Sequence, residues 1–183
     1  MLTLGNIGIA ENQEKLSIKQ IVQFANSKPS IYNLGLKVNF KKVKDSENLG
    51  DLKHITRLNL STSQGVTSEL FEIILKIPGL ESISLSETDF PHKELLRLNN
   101  YPRVKVLNLE QVNLTDQTFL NVLKLKHIQF LDISKNQQGL SRITIENLRL
   151  LPELKEVDAR HTAKPGYFKI VSGDFVRVKE KDD

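Results

Sequence analysis

The chain of 183 residues contains no cysteine. That removes disulfides, thiolate metal sites and thiol nucleophiles, and favours a reducing compartment. It has no apolar run near the roughly 18 residues a membrane-crossing helix needs, so no membrane span is expected. The start, Met1-Leu2-Thr3-Leu4-Gly5-Asn6, has neither a basic nor an apolar leader segment. No signal peptide is expected, which points to the cytoplasm or to delivery by another route. Neither sign of charge dominates: 26 basic and 22 acidic residues give a net +4. A nucleic-acid binder shows a larger and more clustered excess, so no nucleic-acid partner is expected. The densest basic cluster, Lys37, Lys41, Lys42 and Lys44, is offset by Asp45, Glu47 and Asp51 and reads as a solvated loop. The glycine-rich phosphate loops, the nucleophile elbow and the two-histidine zinc motif are all missing. The four histidines share no metal-ligand spacing, so neither metal nor cofactor is expected.

What is present is a repeat. An apolar-x-x-apolar-x-apolar pattern occurs at Ile31/Leu34/Leu36, Ile55/Leu58/Leu60, Leu80/Ile83/Leu85, Val104/Leu107/Leu109, Ile128/Leu131/Ile133 and Leu154/Val157/Ala159. The steps between first members are 24, 25, 24, 24 and 26 residues. A fixed period of this length is the mark of a solenoid.

Each repeat divides into two local patterns. Around Leu107 and Leu109 the alternation is two-fold, as in a half-buried strand. Past Leu114, the residues Phe119, Leu120, Val122 and Leu123 fall at helical spacing, with Thr115 placed as N-cap and Asp116 in the first turn. Likewise Thr67 is placed to cap a helix bearing Leu70, Phe71, Ile74 and Leu75. Pro91 suits the first turn of one bearing Leu95, Leu96 and Leu98. Ser141 or Thr144 precedes Ile145, Leu148 and Leu151. A proline stands two places before the strand at Pro29, Pro78, Pro102 and Pro152, where it ends the helix and favours an extended predecessor. The other two repeats have Lys53-His54 and Lys126-His127 there, inside a shared Leu-Lys-His-Ile phrase.

Such a unit cannot bury its own apolar stripe, so neighbours must stack. These residues resemble the leucine-rich-repeat family, with the motif LxxLxLxx(N/C/T)xL over residues 31–162. The ninth position reads Asn39, Ser63, Thr88, Val112, Asn136 and Thr162. Asn113 to Leu120 is similar to the turn of the cysteine-containing subclass, whose outer faces are helical. The resemblance implies an α/β fold: a right-handed leucine-rich-repeat solenoid, or horseshoe, with a parallel concave β-sheet and convex helices. It also implies a protein-binding role.

The ends need caps, because a terminal repeat would expose its apolar face. Tyr167–Val171 and Phe175–Val178 alternate around Ser172-Gly173-Asp174 and read as a C-terminal β-hairpin cap. Lys179 to Asp183 reads as a frayed tail. Leu2 to Leu4 reads as a partial strand with Ile7 and Ile9 inward, and Ser17 as the cap of a helix bearing Ile18, Ile21, Val22 and Ala25. The expected organisation is one monomeric domain over 1–183: an N-terminal cap over 1–30, six repeats over 31–162 and a C-terminal cap and tail over 163–183.

Function is expected on the exposed strand positions. The central column reads Gly35, Asn59, Ser84, Asn108, Asp132 and Asp158. The column before it reads Asn33, Arg57, Ser82, Val106, Phe130 and Glu156, and the one after reads Lys37, Ser61, Ser86, Glu110, Ser134 and Arg160. The face runs from basic to acidic, with Val106 and Phe130 side by side; Phe130 reads either as a binding anchor or as a partner for Val106 across the sheet. The acidic group reads either as a surface for a basic partner or as ordinary solvated charge, with Arg160 and Lys155 near enough to neutralise it. The candidate partner-binding set is Arg57, Asn59, Ser84, Val106, Asn108, Glu110, Phe130, Asp132, Glu156 and Asp158. The reading is a non-catalytic protein–protein interaction module. The alternative is a recognition domain of a larger protein, such as a bacterial effector, a receptor or a ubiquitin-ligase substrate adaptor.

Overall fold

A computed structural model describes residues 17–42, 45–136 and 139–178. The expected strand over Leu2 to Leu4, with Ile7 and Ile9, lies outside these residues, as do Lys44 and the tail from Lys179. The chain divides into two compact units, Met1–Pro91 and His92–Asp183.

In the first unit, α1 (Ile18–Asn26) precedes β1 (Asn33–Gly35), β2 (Arg57–Asn59), α2 (Ser68–Leu75) and β3 (Ser82–Ser84). The strands pair in parallel, with Leu34, Leu58 and Ile83 in one row. The second unit holds β4 (Val106–Asn108), α3 (Asp116–Phe119), β5 (Phe130–Asp132), α4 (Arg142–Glu146) and β6 (Glu156–Asp158). Its three strands are also parallel, with Leu107, Leu131 and Val157 in one row. Then β7 (Tyr167–Val171) runs antiparallel to β6, and β8 (Asp174–Arg177) antiparallel to β7. Both units thus have the leucine-rich-repeat architecture of short parallel strands joined through outer helices, and an antiparallel pair closes the second at its C-terminal end. The hairpin turn is tighter than its sequence suggests. It uses only Ser172 and Gly173, both in the left-handed region, the geometry of a type I′ turn.

The repeat explains the core. Seventeen of the eighteen motif positions are buried, and Ile31, in the first repeat, is half-buried. Each buried leucine or isoleucine contributes about 2 kcal/mol relative to exposure. Gly139 shows how closely repeats approach: an added Cβ would lie 1.8 Å from the Leu114 carbonyl oxygen.

The helix caps follow the sequence. Ser17, Thr67, Thr115 and Ser141 each accept a backbone N–H three residues on. The outer helices of the second unit differ from expectation. A 3₁₀ helix occupies His92–Asn100, and shorter ones follow α3 (Val122–Lys124) and α4 (Asn147–Leu150). With three residues per turn, i and i+3 align. Leu95/Leu98, Phe119/Val122/Leu125 and Ile145/Leu148/Leu151 are therefore buried. Leu96 and Leu120, expected inward at α-helical spacing, turn to the surface.

The lysines that replace proline also have a structural reason. The Lys53 N–H donates to Asn26 Oδ1 at 2.9 Å, and the Lys126 N–H to Asn99 Oδ1 at 2.9 Å. Asn26 and Asn99 donate in turn to the carbonyls of Asp51 and Lys124. Proline brings no N–H to satisfy. Where it is absent, an asparagine of the preceding repeat accepts the freed donor.

Candidate functional site

Each strand of the parallel sheet is three residues long, and its middle residue points into the core. The two flanking residues therefore face outward. A recurrent device ends the strand. Oδ1 of Asn59, Asn108, Asp132 and Asp158 accepts the N–H two residues on, from Ser61, Glu110, Ser134 and Arg160, at 2.8–3.0 Å. Thr62, Glu87, Gln111, Lys135 and His161 follow, one per repeat, all with positive φ near 52–63°. This left-handed step costs about 1 kcal/mol for a residue other than glycine. The ninth position then turns inward. Asn136 accepts the Leu114 N–H at 3.0 Å and donates to the carbonyls of Leu109, Ile133 and Ser134 at 2.9–3.2 Å. Ser63 accepts the Val38 N–H and donates to the Leu36 carbonyl. Asn39 instead donates to the exposed Gln64 side chain, and Val112 has no polar side chain, so no asparagine ladder runs through the repeats.

The central column of the candidate face is thus in large part structural. The recurrence of Asn or Asp at the fifth place of four repeats was the available signal for this turn. The columns flanking it are less constrained.

In the first unit, Arg57 and Asn59 are exposed, and the Ser84 hydroxyl bonds that of Ser61 at 2.9 Å. The face is small and polar. Lys41, counted among the basic residues, pairs with Asp89 at 3.4 Å; Asp89 also accepts the N–H groups of Gly65 and Val66.

In the second unit, Val106 and Phe130 are direct cross-strand partners, each 36% exposed. Beside them the carboxylates are already paired. Glu110 meets Lys135 at 2.6 Å. Glu156 meets Lys169 at 3.8 Å and accepts the Tyr167 hydroxyl. Burial and that carboxylate push the Tyr167 hydroxyl up to about 12. Asp158 corrects the expectation of an open acidic face: it is only 8% exposed, opposite Tyr167 of β7, and is bound by Arg160 at 2.6 Å. Arg160 does neutralise it, as its place in the sequence suggests. Lys155 reaches Gln129 instead. Asp132 and Asp158 are cross-strand partners. Burial holds the Asp132 carboxyl above its ordinary value against two hydrogen bonds from Ser134, and Asp158 and Glu110 push it the same way.

Sequence reasoning missed that the hairpin continues this face. Val106, Phe130, Glu156, Lys169 and Val176 stand in one cross-strand row. Val171, two residues beyond Lys169, points the same way. Val171 and Val176 are about half exposed, the rest of an apolar border around the Glu156–Lys169 pair. The alternation of β7 and β8 carried this signal, but the register joining β7 to β6 did not follow from it.

At the entry edge, Glu153 accepts from Lys105 at 2.8 Å and from Gln129, and its other oxygen contacts the His127 ring at 3.0 Å. These bonds hold its carboxyl down at about 2. The His92 ring donates to the Val112 carbonyl, and burial lowers its basicity. Among the described residues, no group of three or more His, Asp or Glu side chains is placed to hold a metal ion. No helix among them is long and apolar enough to cross a membrane.

Neither a protein-family model nor a curated protein matches the chain. Similar solved structures include internalin C2 from Listeria monocytogenes, at 23% identity over 79% of this chain, with a TM-score of 0.49. They also include TLR13 in its complex with ssRNA13, at 18% identity over 70% of this chain, with a TM-score of 0.41. The chain spans 66% and 22% of the lengths of those two proteins.

Proposed function

We propose that this chain is a non-catalytic module that binds a partner protein on its outward sheet face. Arg57, Asn59, Ser84, Val106, Asn108, Glu110, Phe130, Asp132, Glu156 and Asp158 form or support that surface, within one monomeric leucine-rich-repeat domain over 1–183. The single observation that carries this reading is the Val106–Phe130 pair. An aromatic ring and a β-branched side chain stand exposed, side by side, on rigid strands amid paired charges. Aromatic anchors held in place before binding lose little entropy and often dominate an interface. The subclass likeness of the Asn113–Leu120 turn rests on Thr115, which caps α3, and on Asp116, which accepts the Ser141 N–H of the next repeat.

The test is affinity capture from lysate of the source cells, comparing wild type with the Phe130→Ala/Asp132→Ala variant. The expected result is loss of a specific partner by about ten-fold or more, the scale of a hot-spot residue. The thermal midpoint should hold for Phe130→Ala alone, whereas Asp132→Ala also removes the acceptor of the Ser134 N–H and hydroxyl and lowers it. A partner retained at wild-type level by a folded double variant would refute the assignment.

A further inference from the structure

Among the described residues the sheet ends in β8, and no strand pairs with its outer edge. The hairpin register shows which backbone groups lie there. The Val178 N–H donates to the Tyr167 carbonyl, so the pairs Tyr167/Val178, Lys169/Val176 and Val171/Asp174 exchange the hydrogen bonds of the hairpin. The even-numbered residues of β7 point the other way, toward β6: Ile170 donates to the Lys155 carbonyl at 2.6 Å. By the same alternation, the N–H and C=O groups of Phe175 and Arg177 face away from β7. No strand among the described residues lies beyond them.

Edges of this kind are usually blunted by proline, a bulge or a central charge. Asp174-Phe175-Val176-Arg177 has no proline, and its four residues pair one-to-one with Val171 to Phe168, without a bulge. Its charges stand at the two ends, opposite in sign. Val176, about half exposed, lies between them.

We propose that β8 is a docking edge for an extended strand of a partner protein, added antiparallel to it. Residues directly opposite in such a ladder share a face and interact. The charges of β8 therefore specify the incoming strand: an acidic residue opposite Arg177, apolar residues opposite Val176 and Phe175, and a basic residue opposite Asp174. In chain order the segment reads acidic, apolar, apolar, basic. Backbone hydrogen bonds supply attachment and the side chains supply register, as in other strand-addition complexes. This goes beyond the sheet-face reading and does not need Phe130.

The probe is the acetylated, amidated peptide Thr-Glu-Val-Val-Lys-Thr, followed by amide NMR on the full chain. The expected result is saturable shifts centred on the Phe175 and Arg177 amides, with slowed exchange at both. The charge-reversed peptide, with Glu and Lys exchanged, should bind about ten-fold more weakly, the scale of two cross-strand charge pairs. N-methylation of the valine opposite Phe175 should abolish binding, whereas N-methylation of the valine opposite Val176 should leave it. Arg177→Pro removes an outward N–H the hairpin does not use, and should abolish binding while the remaining amide spectrum persists. Phe130→Ala should leave peptide binding unchanged, which separates this edge from the sheet face. Absence of shifts at Phe175 and Arg177, or equal binding by both N-methylated peptides, would overturn the proposal.

Discussion

The two units build the same strands on outer supports of different make-up, mostly α-helical in the first and mostly 3₁₀ in the second. In the first, Ile18, Ile21, Val22 and Ala25 of α1 and Leu70, Phe71, Ile74 and Leu75 of α2 are buried in the three-and-four spacing of an α-helix. In the second, most buried positions fall every third residue, as at Phe119, Val122 and Leu125, a spacing the first unit shows at Leu49 and Leu52 beside its 3₁₀ segment Ser46–Asp51. A 3₁₀ turn rises about 2.0 Å per residue against 1.5 Å, so it covers the same length with fewer residues. The strand register tolerates either, because it is fixed by the inward residues and the strand-exit turn. The sheet faces differ as well. The first presents Arg57, Asn59 and a serine pair. The second presents Val106 and Phe130 among carboxylates that already have partners. The backbone repeats, and the difference in recognition chemistry is confined to a few outward positions.

The sharpest test of the three-residue period is to truncate neighbours. Phe119→Ala should cost about 4 kcal/mol and Leu120→Ala less than about 0.5, read by denaturant unfolding. Equal costs would restore an α-helical register there. The next contrast is between ninth positions. Asn136→Ala leaves several buried backbone groups unpaired and should cost about 3 kcal/mol, against about 1–2 for Ser63→Ala in the first unit. A reversed order would mean that Asn136 is not what joins its repeat to the one before.

The smallest effect concerns Asp132, which stands where the first unit has Asn59 and Ser84. Its carboxyl sits above the ordinary value of 3.8, chiefly through burial. The folded state therefore holds this proton more tightly than the unfolded chain does. That stabilisation is complete below the unfolded value and is lost as pH rises through the raised one. Asp132→Asn should flatten the pH dependence of the thermal midpoint across that window and be no less stable than wild type at neutral pH. A steeper dependence would contradict the burial of this carboxyl.

Most of the fold was legible because the inward residues repeat. The Leu-x-x-Leu-x-Leu spacing marks β1 to β6, and Ser17, Thr67, Thr115 and Ser141 mark the helix starts. The 3₁₀ segments were hidden because Leu95, Leu96 and Leu98 satisfy both periods on paper; only packing selects Leu95 and Leu98. The site was legible in part. Period two placed Val106 and Phe130 outward, and the fixed repeat made them neighbours. Nothing local announced that Asp158 lies opposite Tyr167 of β7, or that Lys169 pairs with Glu156, because both depend on the register of a hairpin that follows the last repeat.

The central claim is that the sheet face around Phe130 contacts the partner while the outer helices do not. A photo-crosslinking amino acid in place of Phe130, compared with the same group in place of the exposed Leu120, tests it directly. Position 130 should give a discrete protein adduct and position 120 none. An adduct from position 120 alone would contradict the claim.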